Sequence, residues 1–274
     1  MIGVFDSGLG GLTIFKELLK ELPDYNYLYL GDNARVPYGS RSPEIIYQFT
    51  EEAVDYLFKK GCELIILACN TASSVALKRI QQEYLPKNYP ERRVLGVIRP
   101  AVEEACEKSF NNRIGIIGTE ATINSGAFER EIKKLKPEAK VFTSSCPLLV
   151  PIIEAGELNW QGLDLILDKY LSPLRKKDIG ALILGCTHYS LIKDKIQKHI
   201  GKGVRLISEE KIVPLKLKDY LWRHPEMEKR LKREGKVKFL VTAHSQRFEE
   251  ITKMFFEKEV NFEKVEIQSQ SLNF

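Results

Sequence analysis

Short apolar runs alternate with longer amphipathic stretches along most of this 274-residue chain. Periodicity predicts buried strands at residues 2–5, 27–30, 64–68, 94–98, 114–117, 141–143, 181–184 and 204–207. It predicts helices at residues 12–22, 43–60, 73–83, 101–109, 125–135 and 163–174. Alternation of this kind is typical of the α/β class, in which helices cover both faces of parallel sheets. Ligands of such sheets bind beyond the carboxyl ends of the strands, so the loops that follow strands are candidates for function.

Two motifs occur twice, in the same order and at nearly equal spacing. LIILACNTAS at 64–73 aligns with ALILGCTHYS at 181–190, a shift of 117 residues. IGVFDS at 2–7 aligns more weakly with IGIIGT at 114–119, a shift of 112 residues. Two matches in order predict two related parallel-sheet α/β domains.

The strand-helix pattern resumes after the second half, with a helix predicted at 214–223 and a strand at 237–242. The crossover between the halves is placed near residues 97–100. We therefore predict a discontinuous first domain, made of residues 1–97 and 209–274, and a second domain of residues 98–208.

Charge and composition exclude several classes of protein. The net charge of +5 comes from 42 basic and 37 acidic residues, and four acids interrupt the densest basic stretch, 211–238. We therefore expect a solvated surface there and no nucleic-acid partner. No apolar stretch is long enough to span a membrane, and MIGVFDSG has no signal-peptide features, so we expect no membrane partner and a cytoplasmic location. The five cysteines are odd in number and lack a CxxC pair, which argues against disulfides and zinc.

Cys69 and Cys186 occupy the same place in the two repeats, just past a buried strand and before a helix. Helix N-termini favour thiolates, so we expect a pKa below the ordinary value of about 8.5. A free cysteine is often only a small buried apolar residue, and we keep that interpretation for Cys62, Cys106 and Cys146. The shared position favours function for the other two, as thiols that approach one ligand from opposite sides.

Hydrogen-bonding side chains follow both thiols: Asn70 and Thr71 after the first, Thr187 and His188 after the second. Such groups bind carboxylates, although Asn and Thr after a strand are also common helix caps. His188 is placed to orient or activate its neighbouring thiol, whereas a lone histidine is more often structural.

The glycine-rich turn DSGLGG, residues 6–11, does not predict a nucleotide site, because Thr13 stands where a dinucleotide fingerprint has its third glycine. Asp6 and Ser7 remain candidate polar groups, with Asp6 also a possible helix cap. Tyr38 and Gly39 either reach a ligand or only shape a turn. No serine-hydrolase, zinc-protease or P-loop motif is present, and no lysine stands at a predicted strand end to hold pyridoxal phosphate.

Six motifs in order resemble those of the glutamate racemases of bacterial cell-wall synthesis, in the aspartate/glutamate racemase family. They are DSGLGGLT, GD-x4-PYGxRS, ACNTAS, IGTEATINSGAF, CPLLVPIIEAGEL and LGCTHYSL. The resemblance covers about residues 1–210 and is loose beyond them. The chain departs from the family pattern at Arg99, at Ser190 and at Ser208-Glu209-Glu210, none of which touches the two thiols.

The resemblance implies a racemase that interconverts L- and D-glutamate without cofactor or metal and supplies D-glutamate for peptidoglycan. Its site lies in the cleft between the two domains, where Cys69 faces the D-enantiomer and Cys186 the L-enantiomer. Asp6 assists the first thiol and His188 the second, while Asp32 and Glu154 match two further acidic positions. The implied substrate-binding residues are Asp6, Ser7, Tyr38, Gly39, Asn70, Thr71, Thr122, Thr187 and His188. By family analogy alone, a homodimer is plausible.

Two alternatives stay open at this point. An aspartate racemase shares the two-cysteine plan, and the size of the pocket decides between the two substrates. A non-catalytic binding protein on the same scaffold is the alternative from another class, but a pure binder needs neither thiol.

Overall fold

A computed structural model describes residues 1–244, 246–256 and 260–267 of the chain. Its strands are β1 (Ile2–Asp6), β2 (Tyr27–Gly31), β3 (Leu64–Leu67), β4 (Arg93–Gly96), β5 (Arg113–Gly118), β6 (Lys140–Ser145), β7 (Ala181–Gly185), β8 (Arg205–Ile207), β9 (Val237–Val241) and β10 (Phe262–Lys264). Its α-helices are α1 (Leu12–Glu21), α2 (Pro43–Lys59), α3 (Asn70–Val75), α4 (Leu77–Arg79), α5 (Leu85–Asn88), α6 (Ile98–Lys108), α7 (Glu120–Asn124), α8 (Ala127–Leu135), α9 (Leu149–Glu154), α10 (Gln161–Arg175), α11 (Lys193–Ile200), α12 (Glu209–Arg223), α13 (Pro225–Glu228) and α14 (Gln246–Phe256). A π-helical segment, Ile80–Tyr84, joins α4 to α5, and a 3₁₀ helix, Thr187–Ile192, precedes α11.

The described strands form two sheets in which every pairing is parallel. The first has the order β10-β9-β2-β1-β3-β4, and the second has the order β6-β5-β7-β8. The predicted class, two parallel-sheet α/β units, is confirmed. Because β9 pairs with β2, the first sheet takes strands from both ends of the chain, as a discontinuous first domain requires. The boundaries at 97/98 and 208/209 stay a prediction, and residues 245, 257–259 and 268–274 lie outside the described residues.

The internal repeat coincides with the register of the sheets. The order β2-β1-β3-β4 in the first sheet matches β6-β5-β7-β8 in the second. Phe5 of β1 pairs with Leu67 of β3, and their counterparts in the repeat, Ile117 and Leu184, pair between β5 and β7. Each cysteine of the repeat comes two residues after the second member of its pair. The two thiols therefore lie at equivalent positions beyond the carboxyl ends of the two sheets.

Four predicted elements differ from the structure. The run 94–98 is not one strand, since β4 ends at Gly96 and α6 begins at Ile98. Ile98 is buried together with Ala101, Val102 and Ala105, and this helical spacing places it on the inner face of α6. The helix predicted at 125–135 begins at Ala127, as α8, because Gly126 before it has a φ of +64°, and the short helix α7 that precedes it was not predicted. The helix predicted at 73–83 begins at residue 70, directly after the first thiol, and is divided into α3, α4 and the π-helical segment. The helix predicted at 214–223 begins at Glu209.

The start of α2 follows the prediction. Ser42 accepts a hydrogen bond from the backbone N–H of Ile45 (3.4 Å), and Pro43 occupies the first helical position. Within the ranges that the structure describes, no helix combines the length and the apolar character needed to cross a membrane.

Candidate active site

A cavity of about 340 Å³ lies where the loops of the two sheets meet. Its walls come from segments that follow β1, β2 and β3 in the first sheet and β5, β6 and β7 in the second. The lining residues are Ser7, Gly8, Val36, Pro37, Tyr38, Gly39, Ser40, Cys69, Asn70, Thr71, Thr119, Glu120, Pro147, Val150, Pro151, Glu154, Cys186, Thr187 and His188. Ten of the thirteen residues that the sequence proposed for the site are among them. This is the position expected of a ligand in parallel α/β sheets.

Cys69 caps the N-terminus of α3, where its Sγ accepts the N–H of Ala72 (3.4 Å) and lies 3.2 Å from Ser7 Oγ. Burial raises the pKa of this thiol to about 12, and the negative charge of Asp6 adds to the rise. The hydrogen bonds from Ser7 and Ala72 act in the opposite direction but are outweighed. The prediction of a lowered pKa is therefore wrong for Cys69, because desolvation exceeds the effect of the helix N-terminus. Cys69 keeps its proton at neutral pH.

Cys186 has a different partner, an imidazole. Its Sγ lies 3.7 Å from Nδ1 of His188, whose Nε2 lies 2.9 Å from Oε1 of Glu154. Burial lowers the pKa of His188, but its hydrogen bonds to Cys186 and Glu154 outweigh burial and raise that pKa to about 10. At neutral pH the ring is therefore an imidazolium between the thiol and the carboxylate. The ring of Phe255, in the tail where the resemblance is loose, packs nearly perpendicular to this ring, with 5.1 Å between the centroids.

Asp6 is fully buried behind the lining. Its Oδ2 accepts the backbone N–H of Gly8 (2.9 Å), and burial raises its pKa. A Cβ at Gly11 would lie 2.7 Å from the Cβ of Asp6, so only glycine fits there. The DSGLGG turn thus packs closely around the Asp6 side chain.

A second close approach involves Gly10 of the same turn. A Cβ at this position would lie 2.2 Å from Oγ1 of Thr187 and 2.6 Å from Nδ1 of His188. Glycine at this position therefore lets the first half of the repeat pack directly against the loop that carries the second thiol.

Asp32 also lies behind the cavity lining, and its hydrogen bond to Tyr38 connects it to that lining. Its Oδ2 accepts hydrogen bonds from the Tyr38 hydroxyl (2.5 Å) and from Nε of Arg35 (2.6 Å). Its Oδ1 accepts the hydroxyl of Thr242 (2.9 Å), which follows β9. The contacts of Asp32 indicate a residue that holds Tyr38 at the cavity wall.

Three threonine hydroxyls join the two halves beside the cavity. Oγ1 of Thr71 lies 3.0 Å from that of Thr119 and 3.2 Å from that of Thr122, and the last two are 2.9 Å apart. Thr122 is buried behind the lining, whereas Thr119 lines the cavity. The sequence interpretation missed Thr119, although the repeat aligns it with Ser7. A Cβ at Gly39 would lie 2.7 Å from the Cβ of Thr119, which explains the glycine.

The cavity also has lining residues that sequence reasoning did not single out, most of them apolar or in turns. Three of the apolar ones, Pro147, Val150 and Pro151, belong to the CPLLVPIIEAGEL motif, so the motif itself was the available signal for them. Among the described residues, no group of three His, Cys, Asp or Glu side chains is arranged to hold a metal ion.

Comparisons with known proteins agree with this geometry. The model of the Asp/Glu/Hydantoin racemase family matches residues 3–212. The glutamate racemase of Persephonella marina is 40% identical over 97% of this chain and 97% of its own length, and that of Aquifex aeolicus is 39% identical over 94% and 95%. The structure of the Francisella tularensis glutamate racemase in complex with D-glutamate superposes with a TM-score of 0.88, at 36% identity over 98% of both chains.

The fold and the match over most of the chain define the class of enzyme, an amino-acid racemase and thus an isomerase. The chain belongs to the Asp/Glu/Hydantoin racemase family.

Proposed function

We propose that the protein is a glutamate racemase that works through two thiols, without a cofactor. One observation carries the proposal: Cys69 and Cys186, at equivalent strand ends of two different sheets, line the same cavity. Inversion of an α-carbon requires removal of its proton on one face and delivery of another on the opposite face. Two groups from the two halves of the fold meet that requirement, whereas a binding protein has no need of either.

Starting from L-glutamate, the Cys186 thiolate removes the α-proton and becomes a thiol. The Cys69 thiol delivers its proton to the opposite face and becomes a thiolate, and the two cysteines exchange roles in the reverse direction. Cys69, whose raised pKa keeps its proton in place, begins this direction as the acid. The imidazolium of His188, held by Glu154, stabilises negative charge at Cys186. Exchange of protons with water resets both thiols between turnovers.

The polarity of the cavity suits a substrate with two carboxylates and one ammonium group. Hydroxyl and amide groups line it, from Ser7, Tyr38, Asn70, Thr71 and Thr187. His188 is the only basic side chain among the described lining residues, so neutral donors hold the carboxylates. A volume of about 340 Å³ lies at the lower end of the 300–1,000 Å³ typical of small-molecule sites. The names of the relatives and the D-glutamate complex support glutamate over aspartate.

The path of the proton tests the mechanism. In heavy water, L-glutamate should give D-glutamate that carries deuterium at the α-carbon, while the remaining L-glutamate keeps its proton early in the reaction. Each thiol exchanges with solvent on its own face, and neither reaches across the α-carbon. Mass spectrometry of the separated enantiomers measures the α-deuterium content of the D-glutamate formed and of the L-glutamate that remains. Early deuterium in recovered L-glutamate, at the rate of product formation, would overturn the two-base mechanism, and preferred turnover of aspartate would overturn the substrate.

We also propose that the product serves peptidoglycan synthesis in the cytoplasm. Expression of the protein should relieve the D-glutamate requirement of a bacterial strain that cannot make this amino acid. The Cys69→Ser variant, produced at the same level, should not. Equal growth of the strain with the parent protein and with the Cys69→Ser variant would contradict this role. The homodimer stays a prediction.

A further inference from the structure

Glu209 is a buried carboxyl group that the mechanism above does not use. It is the first residue of α12, directly after the last strand of the second sheet, and only 4% of it is exposed. Its Oε2 accepts a hydrogen bond from Nδ2 of Asn70 (2.7 Å), and Asn70 lines the cavity next to Cys69. The contact therefore joins the start of α12 to a candidate substrate-binding residue that lies 139 positions earlier in the chain.

The same two side chains carry two buried oxygens without a partner. Within the described part of the chain, Oε1 of Glu209 and Oδ1 of Asn70 have no hydrogen-bond donor. An unpaired buried polar atom is costly, and a buried carboxylate without a cation is more so. No positive group of the described ranges is among the charges that act on Glu209, and burial raises its pKa well above the usual range.

A single proton on Glu209 would give both unpaired oxygens a hydrogen-bond partner. A carboxylic acid has one O–H donor and one carbonyl acceptor, and a primary amide has the complementary pair. With the proton on Oε1, the acid donates to Oδ1 of Asn70 while Oε2 accepts from Nδ2. The two side chains would then form a closed pair with two hydrogen bonds, and no charge would be buried.

We propose, on the basis of the function proposed above, that Glu209 is a neutral carboxylic acid that fixes the amide of Asn70 through two hydrogen bonds and so acts as a positioning residue for the substrate. The amide nitrogen has a second hydrogen, which this pair leaves available to a carboxylate oxygen in the cavity. Without the two hydrogen bonds to Glu209, the Asn70 amide is free to rotate and to direct Oδ1 into the cavity, where this oxygen repels a carboxylate. Glu209 thus determines that a donor faces the substrate.

Two substitutions of Glu209 test whether its hydrogen bonds position the Asn70 amide. Glu209→Gln keeps both hydrogen bonds, because its amide oxygen accepts from Nδ2 and its amide nitrogen donates to Oδ1, so kcat/KM should stay within about twofold of the parent. Glu209→Met has similar length but neither bond, and kcat/KM should fall by about tenfold or more, mainly through KM, since the Asn70 amide loses its partner. A matched control is Glu210→Gln. Glu210 accepts a hydrogen bond from Ser208 and forms an ion pair with Lys193, both outside the cavity lining, so the activity of this variant should equal that of the parent.

An infrared difference spectrum of the full-length protein reads the proton directly. At neutral pH, the parent minus Glu209→Gln should show the carbonyl stretch of a protonated carboxyl. A carboxylate band in its place, or a loss of activity in Glu209→Gln as large as in Glu209→Met, would overturn the inference. The spectrum does not depend on turnover, so it still decides if Glu209→Met fails to fold. A parent protein that does not racemise glutamate would instead contradict the proposed function.

Discussion

The surroundings of the two thiols differ although their backbone positions are equivalent. Cys69 caps an α-helix, and its sulfur contacts the Ser7 hydroxyl and the Ala72 N–H. Cys186 precedes a 3₁₀ helix, makes no capping hydrogen bond, and contacts the ring of His188, which Glu154 holds from the other side. The hydrogen-bond partners of the first sulfur are thus neutral, whereas the second sulfur faces a cation.

The duplication accounts for the positions of the thiols but not for their partners. The counterpart of Ser7 in the second half is Thr119, whose hydroxyl contacts Thr71 and Thr122. The imidazole beside Cys186 comes instead from its own loop. A repeated backbone therefore supplies two equivalent positions, and unrelated side chains make the two positions unequal. In the proposed mechanism this inequality favours the starting state of the L-to-D direction, in which Cys69 is the acid and Cys186 the base.

The largest effect is expected from removal of either thiol. Cys69→Ser and Cys186→Ser should each lower racemisation in both directions by about 10³-fold or more, because a hydroxyl is a far weaker acid than a thiol and general acid–base groups contribute about 10²–10⁴-fold. Circular dichroism detection of glutamate turnover measures the rates. Cys106→Ser, a half-buried cysteine outside the cavity lining, is the control and should be unaffected. Parent-like activity in Cys186→Ser would contradict the two-thiol mechanism.

Removal of the partners should have a smaller effect that distinguishes the two sites. His188→Asn and Ser7→Ala should lower kcat/KM by about tenfold to a hundredfold, less than a group that itself transfers the proton. The decrease must be equal in both directions, because the two enantiomers have the same free energy. The difference should therefore appear in α-deuterium isotope effects, with the larger increase for L-glutamate in His188→Asn and for D-glutamate in Ser7→Ala. Identical isotope effects in both variants would remove the assignment of each partner to its own thiol.

A moderate effect is expected on the pH dependence of stability. Folding raises the pKa of His188 from the ordinary 6.5 to about 10. The protonated ring is therefore favoured in the folded state, and its contribution to stability is complete below about pH 6.5 and lost as the pH rises to about 10. His188→Asn lacks this contribution, so the difference in unfolding free energy between parent and variant should shrink across that window.

Urea unfolding at several pH values measures this difference, and the ring nitrogens in a ¹⁵N NMR spectrum report the charge directly. A neutral His188 ring at pH 8 would contradict the cation beside Cys186.

The smallest effect is expected from dialysis against a chelator without added pyridoxal phosphate, which should leave the activity unchanged. Both proton-transfer groups of the proposed mechanism are side chains of the chain itself. Recovery of lost activity on addition of a divalent metal, or an absorption band of bound pyridoxal phosphate, would contradict a cofactor-independent reaction.

The sequence by itself determined the framework. Apolar runs separated by amphipathic stretches predict parallel sheets covered by helices, and the repeat aligns Phe5 with Ile117 and Leu67 with Leu184, residues that the structure then pairs in equivalent register. Both signals are local, because strand burial and strand ends depend on residues adjacent in the chain.

Only the tertiary structure decided the electrostatics and the long-range contacts. The pKa of Cys69 rises rather than falls because desolvation depends on everything packed around the sulfur, which no local pattern contains. The same holds for Phe255 against His188 and for Glu209 against Asn70, pairs that lie 67 and 139 residues apart in the chain. Burial and proton affinity are properties of the assembled fold, and they turn two similar strand ends into two different groups.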